Sequence, residues 1–252
     1  MKSILFILAI ILLALSQTNC GSKNTQSAIN ANSANASSSG ETVVDASAQS
    51  EAQKLLEQGN ELARQNQDKE AAEVYQKAIN LYPDLAEAHL KLAMSYDVLE
   101  QKKEAEEEYK KAAEAYQKFV RVNSKDASAF FNMGLAYNKV GKPEEAVKAF
   151  RQAVKLDEEN GDYQYELGLA YRRAAQYQES VNALQKAIEL DPDNYRAQDD
   201  LEKAKIDLQR WQSMVKQQEA IAKRQAGKKS DNTNANTSLN SNSTTTPTPE
   251  IH

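Results

Sequence analysis

Through residues 50–194, apolar positions fall at helical spacing between polar ones, and the whole arrangement returns at a fixed interval. One slot holds Gly59, Ala93, Gly134 and Gly168, a second Ala71, Ala105, Ala146 and Ser180, and a third Ala78, Ala112, Ala153 and Ala187. Successive members of each series are 34, 41 and 34 residues apart. Large residues keep the same register: Leu92, Met133 and Leu167 just before the first slot, and Tyr96, Tyr137 and Tyr171 three residues after it. Tyr75, Tyr109 and Phe150 follow the second slot by four. A period near 34 predicts a stacked array of supersecondary units, each burying its apolar face against its neighbour.

The unit itself reads as two antiparallel helices. In residues 127–156, Phe130, Met133, Gly134 and Tyr137 share one helical face, then Gly141 ends the first helix and Pro143 opens the second. Ala146, Phe150 and Ala153 form the facing stripe at i, i+4 and i+7. Small residues at the recurring slots let two backbones approach closely while the neighbouring aromatics fill the space beside them.

The 41-residue step exceeds the period by seven, which is two helical turns, and the surplus falls between Ala112 and Gly134. Because Ala112, Tyr116, Phe119 and Val120 continue the apolar stripe, the second helix of the second unit is expected to project about 10 Å beyond its neighbours. That projection either shields the edge of the array or enlarges its binding surface.

At the chain's far end Ala197, Leu201, Ala204, Leu208, Trp211 and Val215 recur every three or four residues. They predict an amphipathic helix over 195–225 whose first half covers the last unit, as solenoids require for solubility. The half beyond Trp211 either continues the cap or docks a partner or a second copy. Lys223, Arg224, Lys228 and Lys229 gather where this helix should end, and there they favour its C-terminal dipole rather than lipid head groups. Ser50 with Gln53 suggests a capping box at the first unit.

These residues resemble the tetratricopeptide repeat, whose pattern is L-G-x-x-Y, then A-x-x-x-F/Y-x-x-A, then Pro. The segment MGLAYNKVGKPEEAVKAFRQAV at 133–154 carries the pattern almost whole, as does LGLAYRRAAQYQESVNALQKAIELDP at 167–192. The first unit is looser, with Gln58 and Leu62 at the usual Leu and Tyr positions. The resemblance implies an all-α, right-handed α-solenoid of about four tetratricopeptide-type helix pairs plus a C-terminal capping helix. The units lie at about 52–85, 86–126, 127–160 and 161–194, with the cap at 195–227. In this family the first helices line a concave groove that takes a peptide or protein partner. Carried over by position, the groove residues are Leu56, Asn60, Leu90, Met94, Phe131, Leu135, Asn138, Tyr165, Leu169, Arg172 and Arg173. Several of these equally suit packing between adjacent helices. An apolar floor with a more basic far end fits an extended or helical segment bearing an acidic residue near Arg172. The Lys and Asn set that grips acidic chaperone C-termini is replaced here by Leu, Phe and Met, which disfavours that role.

The chain begins with Lys2, an apolar run at 4–15, and then Cys20, the one cysteine. A basic start before about a dozen apolar residues describes an export signal over 1–19, too short to span a bilayer comfortably. The cysteine behind it resembles the lipid-bearing residue of bacterial lipoproteins, which implies a membrane anchor at Cys20. Gln17 and Asn19 depart from that family's usual Leu and Ala or Gly, so an uncleaved anchor, or a secreted protein with a spare thiol, stays open. Residues 20–49, rich in Ser and Asn, read as a flexible tether reaching about 30 Å, and the Asn/Ser/Thr-rich stretch 228–252 as a tail without fixed structure.

A formal net charge of −5 with no continuous basic stripe along the repeats argues against nucleic acid as the main ligand. His89 and His252 give no metal or acid–base site, the carboxylates around Glu104 and Glu106 read as a solvated helix face, and no nucleotide-binding or zinc-protease motif occurs. No cofactor and no enzymatic activity are expected. The composite expectation is a membrane-tethered protein-binding scaffold in a bacterial cell envelope. A soluble exported holdase-type chaperone, or an accessory regulator of a cell-wall enzyme, stands beside it.

Overall fold

The computed structural model describes residues 46–240; the export segment, Cys20, most of the tether and residues 241–252 lie outside them. Among the described residues there are nine helices and no strand. They are α1 (Ala46–Arg64), α2 (Asp68–Leu81), α3 (Ala86–Val98), α4 (Lys102–Val122), α5 (Ala127–Val140), α6 (Pro143–Leu156), α7 (Gly161–Arg173), α8 (Tyr177–Leu190) and α9 (Tyr195–Asn240). Each helix packs against the next in sequence, and α1, α3 and α5 also touch along one side. The result is an all-α helical-repeat solenoid built from helix pairs.

The glycine slot is set by the aromatic opposite it. A Cβ on Gly134 would lie 2.6 Å from the Phe150 ring, and one on Gly59 would lie 2.5 Å from the Tyr75 ring. In the second slot Ser180 is fully buried, and its hydroxyl donates to the Gly168 carbonyl at 2.8 Å. A serine therefore fits where the other units carry alanine, because its polar atom finds a partner inside the unit.

Between the units, Asp126, Asn160 and Asn194 each accept a hydrogen bond from the backbone N–H three residues on, at 2.9, 3.2 and 3.0 Å. These caps open α5, α7 and α9; the equivalent position before α3 is Leu85, which has no side-chain cap.

The surplus seven residues lie in α4, which has 21 residues where α2, α6 and α8 have 14. Its inner face is spent on packing: Tyr116 and Val120 join the core formed by α3, α4 and α5. Lys118 adds an ion pair to Asp84 in the α2–α3 turn at 2.7 Å. Phe119 and Val122 on the outer side are exposed.

Both ends of the array differ from expectation. Helix α1 starts at Ala46, so Ser50 sits inside it and caps nothing. Helix α9 runs on to Asn240, beyond the 225 to 227 expected, so residues 228–240 are helical rather than without fixed structure. The run to 226 consists of strong helix formers, Gly227 alone costs about 1 kcal/mol, and no proline intervenes before Pro247. Lys223 and Arg224 thus lie four turns inside the helix, too far from its end to act on the C-terminal dipole. Among the described residues no helix is long and apolar enough to cross a membrane.

Candidate functional site

The first helices present two kinds of position to their surroundings. Leu56, Leu90 and Tyr165 occupy one repeat slot and are buried between helices. Phe131 in the same slot stacks on Tyr163 at 4.7 Å between centroids and tilts against Phe150 at 5.5 Å. The slot four residues on holds Asn60, Met94, Leu135 and Leu169, one full helical turn along, and its last three members face a common cavity.

That cavity encloses about 440 Å³. Leu90, Met94, Asp97 and Val98 of α3 form one wall, with Tyr109 of α4 behind them. Leu135, Asn138 and Lys139 of α5 and Glu166, Leu169 and Arg173 of α7 continue it, and Arg196 of α9 closes the end. A second hollow of about 520 Å³ adjoins it, lined by Asn60, Arg64, Tyr75 and Lys91 among others, and shares Met94 and Val98 with the first. Of the eleven groove residues read from the sequence, Leu90, Met94, Leu135, Asn138, Leu169 and Arg173 meet in the cavity and Asn60 in the second hollow. Leu56, Phe131, Tyr165 and Arg172 line neither.

Arg172 is spent internally. It contacts Asp200 at 3.4 Å and Asp207 at 3.8 Å, both on α9, and the Tyr165 hydroxyl donates to the same Asp200 at 2.9 Å. The cation that the sequence assigned to a partner's acidic residue therefore fastens the terminal helix.

The charges that do face the cavity are arranged unevenly. Lys139 pairs with Asp97 at 2.6 Å, and the Tyr109 hydroxyl donates to the same carboxylate at 2.8 Å. Burial pushes the Asp97 carboxyl up, but those two hydrogen bonds together with the charges of Lys139 and Lys102 outweigh it and hold it below its usual range. Glu166 goes the other way: burial raises it, against the pull of Arg173 and Arg196. Neither arginine lies within ion-pair distance of a carboxylate among the described residues. Arg196 lies over the Tyr165 ring at 5.5 Å instead. Both polar atoms of the Asn138 carboxamide are buried without a hydrogen-bond partner. The site thus offers an apolar floor and two arginines at one end, with the Asn138 amide atoms buried beneath its wall.

Tyr109, Glu166 and Arg196 were missed by sequence reasoning. Tyr109 belongs to a second helix and Arg196 to α9, so a rule that searches first helices passes over both. Glu166 lies three residues before Leu169 on α7, within one turn of it on the same face, a signal the repeat pattern obscured.

His89 is buried on α3 and held at both ring nitrogens, by Glu108 at 2.6 Å through Nδ1 and by the Pro83 carbonyl at 2.9 Å through Nε2. Among the described residues no group of three or more His, Cys, Asp or Glu is placed to hold a metal ion.

Three family models match the chain: a tetratricopeptide repeat model over residues 131–195, a second over 84–159, and a TPR repeat model over 59–96. The chain is a tetratricopeptide repeat protein. Its repeat array is a protein-interaction scaffold. Among solved structures, the tetratricopeptide array is similar to a crystal structure of the MamA protein at 24% identity and TM-score 0.48, covering 66% of this chain and 86% of that one. The second TPR domain of human RPAP3, determined in complex with an HSP70 peptide, is 29% identical at TM-score 0.38, covering 40% of this chain and 83% of that one. YrrB, described as a TPR protein with an unusual peptide-binding site, is 25% identical at TM-score 0.31, covering 57% of this chain and 88% of that one. A search of curated proteins gave no match.

Proposed function

We propose that this tetratricopeptide repeat protein is a membrane-tethered adaptor that holds a segment of a partner protein in the cavity between α3, α5 and α7. The observation that carries the reading is the shared apolar floor of Leu90, Met94, Leu135 and Leu169, supplied by three successive first helices. Such a floor suits one or two apolar side chains of an extended or helical segment. Arg173 and Arg196 favour an acidic residue at the α7 end.

Location is the second part of the proposal. The basic start, the apolar run at 4–15 and Cys20 support export and lipidation, with the Ser/Asn-rich residues that follow giving reach from a bacterial envelope membrane. A lipid on Cys20 predicts that detergent is needed to release the chain from membranes. Cys20→Ser is then released from membranes by high salt alone or retained as uncleaved precursor. Equal release of both forms by high salt without detergent, with the signal cleaved, contradicts the tether. A Met94→Glu, Leu135→Glu variant tests the cavity in the same cells. Partners cross-linked to the parent chain are expected to be lost from this variant while its helix content and melting stay unchanged. Partners that persist would point to a surface outside the cavity.

A further inference from the structure

Beyond Leu208, helix α9 leaves the array. Its residues up to there pack on α7 and α8, with Ala197, Leu201 and Ala204 buried and Leu208 half-buried. From 209 to 226 every residue is exposed except Val215, which is half-exposed. That stretch with Leu208 is about 27 Å long. Its polarity is nonetheless divided. At 100° per residue Leu208, Trp211, Met214, Val215, Ile221 and Ala222 fall within an arc of about 140°, interrupted by Gln218 and Gln225. Trp211, Met214 and Ile221 are 45, 57 and 48% exposed and belong to none of the hydrophobic clusters among the described residues, a large apolar display.

The rest of the helix surface limits what could cover it. Arg210 and Arg224 lie about 20 and 60° beyond one edge of the arc, and Lys223 and Lys216 about 60 and 80° beyond the other, behind Glu219 and Gln212. The four cations are exposed, and Glu219 is the only anion from 208 to 226. The segment is thus basic on a chain whose formal net charge is −5. A second copy laid along the arc would set Gln218 and Gln225 of both copies in the middle of the seam, where polar residues cost stability. A protein groove would have to supply a matching apolar trough with acidic rims over the full length. An anionic bilayer supplies both features without any matched shape. The apolar arc enters the acyl boundary, the lysine and arginine stems extend along it, and their charges stay among the head groups. The dipole gives these cations no other role, because Lys223 and Arg224 lie well inside the helix.

We propose that residues 208–226 of α9 form an interfacial helix that lies on anionic lipid surfaces through the Trp211, Met214 and Ile221 face. The proposal is independent of the peptide cavity and of the lipid on Cys20. It gives the array a second attachment point at its opposite end.

Trp211 is the only tryptophan, so its fluorescence in the full-length chain reports this face alone, however the N-terminal segment behaves. The probes are phosphatidylcholine vesicles with and without phosphatidylglycerol, the acyl chains brominated in a parallel set. The expected result is a blue shift and bromine quenching of Trp211 with anionic vesicles. The signal falls severalfold as salt rises from about 0.05 to about 0.5 M. It is lost in a Lys216→Glu, Lys223→Glu, Arg224→Glu variant with unchanged helix content. Unaltered Trp211 emission from vesicle-bound chain would overturn the proposal, as would an equal response to neutral vesicles. A lipid-free shift that grows with protein concentration would overturn it in favour of a second copy. A response to a polyacidic protein but not to vesicles would overturn it in favour of a protein partner.

Discussion

Four residues in the turns inside the helix pairs take the left-handed conformation: Asn66, Glu100 and Ala175 at φ 57 to 59°, and Gly141 at 77°. They stand 34, 41 and 34 residues apart, so the turn repeats as strictly as the core does. In each, the next N–H donates back to the carbonyl five residues earlier, as from Gln101 to Tyr96 and from Gln176 to Tyr171, both at 2.9 Å. The sequence shows this slot only at Gly141, because three units fill it with side chains that bear the strain. Ala175→Gly should therefore stabilise the protein by about 1 kcal/mol, read as a higher urea midpoint. No change would mean that the unfolded chain's added freedom cancels the relief. Glu166 gives a second residue-scale test. Its carboxyl is raised by burial, so the folded state favours the protonated form. That preference contributes stability below the usual glutamate range and is lost as pH rises through the raised value. Glu166→Gln is expected to melt higher than the parent at pH 7, with the difference vanishing below about pH 4. His89 shows the limit of reading single residues. It sits in a packing slot of the repeat, and only the fold places Glu108, 19 residues away, against its ring.

At the scale of elements, helix lengths were legible because the period fixes them. The seven surplus residues had to enter α4 in phase, since two whole turns keep Tyr116 and Val120 on the buried side. Helix α9 was legible to about residue 225, past the point where its stripe leaves α8. Its far end was hidden, because an Asn- and Ser-rich composition argues against helix while the absence of a breaker permits it. The docked half carries the stability. Ending the chain after Asn194 removes Asp200 and Asp207, leaves Arg172 unpaired and bares Val181 and Leu184 of α8. That loss, on the order of 5 kcal/mol, should lower Tm by about 10 °C or more and promote aggregation. Ending it after Gln212 should leave Tm as in the full chain. Equal melting of both truncations would show that α9 is dispensable to the array.

For the molecule as a whole, the repeat pattern announced a groove but not which first-helix slot would line it. Two slots one helical turn apart were equally apolar in sequence. The stacking angle turns the Leu56, Leu90, Phe131 and Tyr165 slot mostly inward and opens the Met94, Leu135 and Leu169 slot to the cavity. Such an angle arises from packing between units, which no single unit encodes. The same stacking brings Arg196 of the terminal helix beside Arg173, so that the cap both stabilises the array and supplies part of its candidate site.

The central claim is that this cavity selects peptide segments by an apolar side chain and a nearby acidic one. The most direct measurement is selection from a random peptide library on the immobilised protein, followed by affinity measurements on synthetic copies. The account predicts enriched sequences pairing a large apolar residue with Asp or Glu. Their binding should weaken at least tenfold in Leu135→Glu and severalfold in Arg173→Glu, with folding unchanged in both. Enriched peptides that bind both variants as tightly as the parent would place recognition elsewhere on the array and contradict the claim.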